Sequence, residues 1–198
     1  MKKGLLTILA VVAGLAVLGF LLFSGTYNSL VTQDESVKSA WAQVQNVYQR
    51  RLDLIPNLVE TVKGYAAHEK TTLEGVVEAR SKIAQMRVTP EIINNPAQLA
   101  QFQAAQGSLG ASLSRLLVVA ERYPDLKANE QFLMLQNQLE GTENRITVER
   151  QRYNDAAKDF NVTVRRFPTN LIARFMNFQA KAYFEADKEA AQVPQVKF

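Results

Sequence analysis

The stretch FLMLQNQLEGTENRITVERQRYNDAAKDF, residues 132–160, indicates the fold more clearly than any other part of the chain. Large apolar residues recur every seven positions along it, and the series continues to Phe167: Phe132, Leu139, Ile146, Tyr153, Phe160 and Phe167. A strict seven-residue repeat puts one apolar row along a helix and favours a left-handed supercoiled seam. The sequence therefore predicts a long, coiled-coil-like helix over residues 126–166.

Three segments upstream of this helix also have apolar residues at helical spacing. They cover residues 27–52, 57–86 and 97–123. Four amphipathic helices joined by short loops are expected to close as an up-down antiparallel four-helix bundle. The predicted fold class is therefore all-α.

Proline and asparagine mark the breaks between these helices. Residues 89–96 hold two prolines and two asparagines and predict a loop, and Pro168 ends the fourth helix. Residues 123–125 predict a tight turn, with Asp125 as the N-cap of the fourth helix. Gly107 and Gly110 destabilise the third helix, so we expect them to mark a close helix crossing.

Pro56 leaves two arrangements open. It fits the first turn of a second helix, with Asp53 near the start of that helix, and we expect a turn there. The alternative is a kink in one long helix, because an apolar row runs through this position: Trp41, Tyr48, Ile55 and Val62.

The N-terminus carries twenty residues without a charge, GLLTILAVVAGLAVLGFLLF, at positions 4–23. At about 1.5 Å per residue a helix of this length is about 30 Å long, enough to cross a bilayer. We expect an uncleaved anchor rather than a cleaved signal, because the run is longer than a signal core and no small-x-small site follows it. Trp41 lies well beyond this run, so we expect it in the core rather than at the membrane interface.

Charges on either side of the apolar run predict its orientation. Lys2 and Lys3 precede it, and the first charges after it are Asp34 and Glu35. The positive-inside rule therefore predicts a cytoplasmic N-terminus, with residues 24–198 outside the cytoplasm. For a bacterial cell membrane, this means a periplasmic or extracellular bundle.

The predicted domains are an anchor over residues 1–23, a bundle over 24–167 and an aromatic-rich tail over 168–198. The net charge of +4 is too small, and the charges too interspersed, to indicate nucleic-acid binding. The chain has no cysteine, so an extracytoplasmic body would be stable without disulfides. The tail is expected to pack along the bundle as a short helix, the alternative being an interfacial helix on the membrane.

Several blocks of this sequence resemble the LemA family. They are YNSLV (27–31), WAQV (41–44), QRRLDLIPNLV (49–59), TVKGY (61–65), HE (68–69), AR (79–80), LEGTENRI (139–146), Arg150, YN (153–154), FPTN (167–170) and YF (183–184). The resemblance covers nearly the whole chain. It implies a bacterial four-helix protein with one N-terminal membrane helix, and it implies no established enzymatic activity.

Five charged residues fall on or beside the predicted apolar rows and are the candidate site residues: Arg51, Glu69, Arg80, Glu143 and Arg150. A buried charge without a partner is costly, so we expect these residues to pair across helices as a buried ionic layer. The alternative is a polar pocket in which Arg51, Arg80 and Arg150 hold a small anionic ligand.

The chain lacks the residue patterns of enzymes that use such a bundle. A di-iron site needs two Glu-x-x-His motifs and a zinc protease needs His-Glu-x-x-His, whereas His68 is the single histidine. The sequence contains no G-x-S-x-G and no P-loop motif. We therefore expect no catalytic residue, no metal and no cofactor, and we predict that the protein is not an enzyme.

The predicted function is a membrane-anchored, non-enzymatic scaffold of the bacterial envelope. It would present its bundle to protein partners or to further copies of itself as a homo-oligomer. The alternatives are a sensor of small anions that uses the arginine and glutamate layer, and a self-assembling oligomeric shell. The identity of the partner, the oligomeric state and the physiological process are not readable from the sequence.

Overall fold

A computed structural model of the chain describes residues 2–86 and 89–185. These residues contain helices and no strand. The elements are α1 (Lys2–Tyr65), α2 (Lys70–Gln85), a 3-10 helix (Pro90–Asn94), α3 (Pro96–Ala120), α4 (Pro124–Lys127), α5 (Glu130–Arg165) and α6 (Thr169–Phe175). Residues 178–185 follow without regular secondary structure, and the rest of the predicted tail, residues 186–198, lies outside the described residues.

The first helix continues unbroken through Pro56, so the predicted turn there is wrong and the alternative of one long helix is the one found. Pro56 is exposed, and its ring therefore displaces no core side chain. A proline has no N–H to offer the carbonyl four residues earlier, here that of Leu52. The Nε of Arg80 donates to that carbonyl at 3.1 Å instead. The helical break comes later, at residues 66–69, where the Glu69 N–H bonds to the Ala66 carbonyl at 3.0 Å.

Helices α1 and α5 pack against each other in opposite directions. The Tyr65 hydroxyl accepts a hydrogen bond from Asn129 at 3.0 Å. Arg51 bonds to Glu143 at 2.9 Å, and the Trp41 ring lies 5.7 Å from the Tyr153 ring. Successive contacts thus move toward the N-terminus of α1 and toward the C-terminus of α5, so the two helices are antiparallel. The seven-residue row of α5 is buried from Phe132 to Phe160, whereas Phe167 is 76% exposed because α5 ends before it.

Asparagine side chains cap the N-termini of the two long helices α3 and α5. The Asn129 side chain accepts from the Phe132 N–H at 2.9 Å, and α5 therefore starts at Glu130. Asp125 lies inside the short helix α4, so its predicted role as the N-cap of the long fourth helix, here α5, is wrong. The Asn95 side chain caps α3 in the same way, accepting from the Ala97 and Gln98 N–H groups at 3.1 and 3.2 Å.

The glycines of α3 do not mark a close crossing, and that prediction is wrong. A Cβ added at Gly107 or Gly110 would meet nothing within 4 Å. Helix α3 packs against α2 through its larger side chains. Leu109, Leu113 and Leu116 are buried there.

The body has two adjoining hydrophobic cores. The aromatic core is formed by the first part of α1 beyond residue 29, the 3-10 helix, the start of α3, the end of α5, α6 and the extended tail. Its rings are Trp41, Tyr48, Phe102, Tyr153, Phe160 and Phe184. The aliphatic core is formed by the end of α1, α2, the end of α3, α4 and the start of α5, and it consists of leucine, isoleucine, valine and alanine with Phe132. Trp41 is 1% exposed, which confirms its prediction as a core residue.

Candidate functional site

The N-terminal part of α1, residues 6–22, does not pack against the helical body. Its large apolar side chains from Leu6 to Leu22 are between 54% and 68% exposed. A soluble body rarely exposes so much contiguous apolar surface. The helix is long and apolar enough to cross a membrane, and it continues without a break into the body.

Of the five candidate charged residues, Arg51 and Glu143 contact each other. Arg51 is 3% exposed and donates to both carboxylate oxygens of Glu143, at 2.9 and 3.2 Å. Its other terminal nitrogen donates to the side-chain oxygen of Gln106 and, at 3.4 Å, to the Gln106 carbonyl. The guanidinium also lies over the Tyr48 ring, 5.1 Å from the centroid. This ionic node joins α1, α3 and α5 where the aromatic and aliphatic cores meet.

The other three candidate residues bind different partners. Arg80 donates to the Leu52 carbonyl. Glu69 accepts from Arg122 at 2.9 Å and from the Tyr123 hydroxyl at 3.2 Å.

Arg150 contacts the C-terminal tail rather than another helix. It donates to the Glu185 carbonyl at 3.0 Å and lies 4.8 Å from the centroid of the Phe184 ring. Each of the three arginines thus has at least one hydrogen-bond partner within the protein itself.

The extended residues 178–185 occupy a groove that the sequence did not predict. The Asn161 side chain accepts from the Lys181 N–H at 2.7 Å and donates to the Lys181 carbonyl at 2.9 Å. Asn154 makes the same pair of bonds with Phe184, at 2.9 and 3.0 Å. A side-chain amide carries a donor and an acceptor side by side, so it pairs with both polar groups of one backbone residue.

Further contacts complete the backbone pairing of this segment. Gln103 accepts from the Glu185 N–H at 3.3 Å and donates to its carbonyl at 2.7 Å. The Ala182 N–H bonds to the Ile93 carbonyl at 2.8 Å, and the Ala182 carbonyl accepts from the Tyr153 hydroxyl at 2.7 Å. Burial raises the pKa of Tyr153 above its ordinary value of 10.0, and its hydroxyl is a donor at neutral pH with either value. Helix side chains thus supply what a neighbouring strand would supply in a sheet.

Two side chains of the tail fill pockets in the body. The Phe184 ring lies 6.0 Å from the Trp41 ring and 5.5 Å from the Tyr153 ring. Lys181, with 6% of its side chain exposed, bonds to Asp34 at 2.6 Å and to the Asn94 side-chain oxygen at 2.9 Å. Burial alone would raise the pKa of Asp34, but its hydrogen bonds to Lys181 and Lys38 and their charges outweigh burial and lower the pKa.

A sequence signal for this groove exists in α5. Asn154 and Asn161 are seven residues apart, and each follows an aromatic residue of the apolar row, Tyr153 or Phe160. Two amides at this spacing share one face of the helix. Their partner is the tail backbone, which no side-chain pattern reveals.

His68, the single histidine, is exposed at the break between α1 and α2. Within residues 2–86 and 89–185, no group of three or more His, Asp or Glu side chains is arranged to hold a metal ion.

An all-helical body that continues from a helix long enough to span a membrane defines the class: a helical protein with one candidate transmembrane segment in its described part. The LemA family matches residues 40–198, and the chain belongs to this family. It is 26% identical to magnetosome protein MamQ 2 of Paramagnetospirillum magneticum, over 96% of this chain and 73% of that protein. It is 25% identical to protein LemA of Metamycoplasma hominis (85% and 73% covered), and 24% identical to magnetosome protein MamQ of Magnetospirillum gryphiswaldense (85% and 67% covered).

Proposed function

We propose that the protein is a single-pass scaffold of the bacterial envelope, with a cytoplasmic N-terminus and a helical body outside the cytoplasm. In this proposal residues 4–23 cross the membrane and the body binds a protein partner. The observation that carries the proposal is the unbroken helix α1, which runs for 64 residues from Lys2 to Tyr65.

A helix without a hinge holds the body at a fixed height above the bilayer. The part of α1 beyond the apolar run, residues 24–65, is about 60 Å long at about 1.5 Å per residue. The aliphatic core surrounds the far end of this helix. The surface around that core is therefore held away from the lipid, where a partner can reach it.

A groove between α1 and α2 is the best candidate for the binding surface. Its floor is apolar, with Val59, Leu73 and the 52% exposed Val77, and its volume is about 860 Å³. Charged side chains of both signs form its rim: Glu60, Lys63, Lys70, Glu74 and Glu78. An apolar floor with a mixed-charge rim suits the apolar face of an amphipathic helix. We assign this groove to a helix of a protein partner.

The proposal includes an up-down antiparallel bundle of α1, α2, α3 and α5. The packing of α1 on α5 and of α2 on α3 supports it. It also includes a non-enzymatic role. A sensor of small anions is less well supported, because Arg51, Arg80 and Arg150 already bind groups of the protein.

The binding surface is tested by photo-cross-linking of the full-length protein in its native membranes. A cross-linking amino acid at Val77 is compared with one at Val148, which is 47% exposed on α5 and lies outside the groove. We expect one discrete adduct from position 77 and none from position 148. Mass spectrometry of the adduct, with light scattering of the detergent-extracted protein, distinguishes a different protein from a second copy. Absence of an adduct at position 77, or adducts of equal yield at both positions, would contradict the assignment.

The orientation is tested separately with Glu78→Cys. The chain has no cysteine, so the introduced thiol is unique. We expect a maleimide that does not cross membranes to label it when applied from the extracytoplasmic side. Labelling only after the inner membrane is permeabilised would reverse the proposed orientation.

A further inference from the structure

Helix α6 and the segment that leads into it expose large apolar side chains. Leu171 and Phe175 in α6 are 61% and 81% exposed, and Phe167, two residues before α6 begins, is 76% exposed. Ala173, on the opposite face of α6, is buried against the body. The three exposed side chains, which we call the α6 patch, therefore point away from the body.

Aromatic contacts fix the α6 patch near the proposed membrane span. Phe178, just after α6, lies 6.1 Å from the Tyr27 ring between centroids. Tyr27 in turn stacks on Phe23, the last residue of the apolar run, at 6.4 Å. Four residues of helix measure about 6 Å, so Tyr27 lies within one helical turn or so of the end of the run. Helix α6 also packs against α1 directly.

The charge around the patch matches a lipid surface. Arg166 and Arg174, next to Phe167 and Phe175 in the sequence, are exposed. Segments that lie in the membrane interface combine phenylalanine or leucine on one face with arginine or lysine beside it. Exposed aromatic side chains are unfavourable in water, and lipid acyl chains within a few ångströms would remove that cost.

We propose that the α6 patch docks on the outer surface of the bilayer that α1 crosses. Phe167, Leu171 and Phe175 insert among the lipid headgroups and upper acyl chains, and Arg166 and Arg174 contact lipid phosphates. This inference rests on the proposed anchor. A second contact with the bilayer, beside the span, prevents rotation of the body about the α1 axis and fixes which face of the body is turned to a partner.

The test uses the full-length protein in liposomes of phosphatidylcholine and phosphatidylglycerol. Single cysteines at Leu15→Cys, Phe175→Cys or Glu78→Cys carry the environment-sensitive fluorophore NBD, one per sample. Quenching is measured with lipids that carry a spin label either near the headgroup or deep in the acyl chain. Position 175 is the test, position 15 reports the anchor, and position 78 is the exposed control on α2.

We expect the label at position 175 to emit at shorter wavelength and to be quenched by the shallow spin label. We expect the deep spin label to quench position 15, and neither to quench position 78. Quenching at position 15 without quenching at position 175 would overturn the docking proposal and leave the anchor intact. Lack of quenching at position 15 would overturn the anchor itself. A blue-shifted but unquenched label at position 175 would also overturn docking, because protein rather than lipid would then cover the patch.

The role of charge is tested with the double variant Arg166→Gln/Arg174→Gln. The two arginines are exposed, so their replacement leaves the body folded. We expect shallow quenching at position 175 to decrease in this variant and, in the parent, when phosphatidylglycerol is omitted. Quenching that is insensitive to both changes would contradict the contact with lipid phosphates.

Discussion

The aromatic and aliphatic cores lie along the same helix, α1, but they are closed in different ways. Around the aliphatic core, the regular helices α2, α3, α4 and α5 cover the buried face of α1. Helix α2 has 16 residues and does not extend along the whole of α1. Beside the aromatic core its place is taken by the 3-10 helix, α6 and the extended tail. An irregular segment can thus close a helical core when side-chain amides satisfy its backbone.

The ionic node lies between these two cores and differs from both. Arg51 is buried, but the Glu143 side chain is 45% exposed, so water reaches one side of the pair. Such a pair costs less desolvation than a fully buried one. Its geometry depends on three helices at once, and it therefore fixes how α1 and α5 are aligned.

The largest expected effect comes from breaking the aromatic core with Trp41→Ala. The Trp41 ring contacts Phe102, Tyr153 and Phe184, which belong to α3, α5 and the tail. We expect a loss of about 3–5 kcal/mol in the free energy of unfolding of the detergent-solubilised protein, together with fast amide exchange in residues 178–185. Phe132→Ala in the aliphatic core is the matched control: a similar loss, with the tail still protected in the native state. Equal release of the tail in both variants would show that the two cores are not distinct.

Replacing either Glu143 or Arg51 of the ionic node distinguishes the effect of the buried charge from the effect of side-chain packing. Glu143→Ala leaves a buried guanidinium without its carboxylate, and we expect a loss of about 2 kcal/mol in the free energy of unfolding. Arg51→Met removes the buried charge and keeps most of the volume, so we expect a loss below about 1 kcal/mol. Urea unfolding of both variants measures the difference. A larger loss for Arg51→Met would show that the node stabilises the body through net charge pairing.

The tail is released selectively by removal of its amide partners. Asn161→Ala deletes two hydrogen bonds to Lys181 and should destabilise the closed tail by about 1–2 kcal/mol. Hydrogen exchange should therefore accelerate in residues 178–185 and stay unchanged in α2. Asn137→Ala, at an exposed position of the same helix, is the matched control and should have no effect on the tail. Acceleration throughout the body would mean that the tail and the body open as one unit.

The ion pair between Asp34 and Lys181 should make closure of the tail depend on pH. The pKa of Asp34 is lowered from its ordinary value of 3.8. The stability that the ionised Asp34 gives to the closed tail is therefore present above about pH 4 and is lost as the pH falls through the lowered pKa. We expect Asp34→Asn to speed exchange of the tail at neutral pH, and the difference from the parent to shrink in acid. Glu35→Gln, on the exposed face of α1, is the control. A difference that stays constant with pH would assign the effect to packing.

The smallest effect concerns the proline inside α1. Arg80→Ala removes the donor to the Leu52 carbonyl and should cost about 1 kcal/mol. In a Pro56→Ala background the helix regains its own N–H at position 56, and the same Arg80 change should cost clearly less. A double-mutant cycle on the free energy of unfolding measures this coupling. Identical costs in both backgrounds would show that Arg80 acts elsewhere.

Much of the helical content could be predicted from the sequence, because apolar spacing reports burial directly. The row from Phe132 to Phe160 and the apolar run in α1 are both where their patterns predicted them. The prediction of a turn at Pro56 was wrong because an exposed proline deprives the helix of one hydrogen bond, and here another side chain donates to the carbonyl that is left without its partner. That donor, Arg80, comes from a different helix and has no signature near Pro56.

The charged residues could be recognised as unusual, but their partners could not be read from the sequence. Arg150 lies beside the row of Ile146 and Tyr153, which indicates the face of α5 but not what covers it. Its partner is a backbone carbonyl of the tail, and backbone carbonyls are the same in every sequence. For this reason the groove that holds residues 178–185 could not be predicted, although the seven-residue spacing of Asn154 and Asn161 matches the backbone groups that they bind there.

The antiparallel pairing of α1 with α5 has a consequence for the order of events during synthesis. Arg51 and Glu143 are 92 positions apart in the chain. At about 5–20 residues per second, the ribosome adds Glu143 about 5–20 s after Arg51. For that time the apolar row of α1 emerges with no α5 to cover it. Phe184, which completes the aromatic core, is added later still, so this core closes only after the tail has been made.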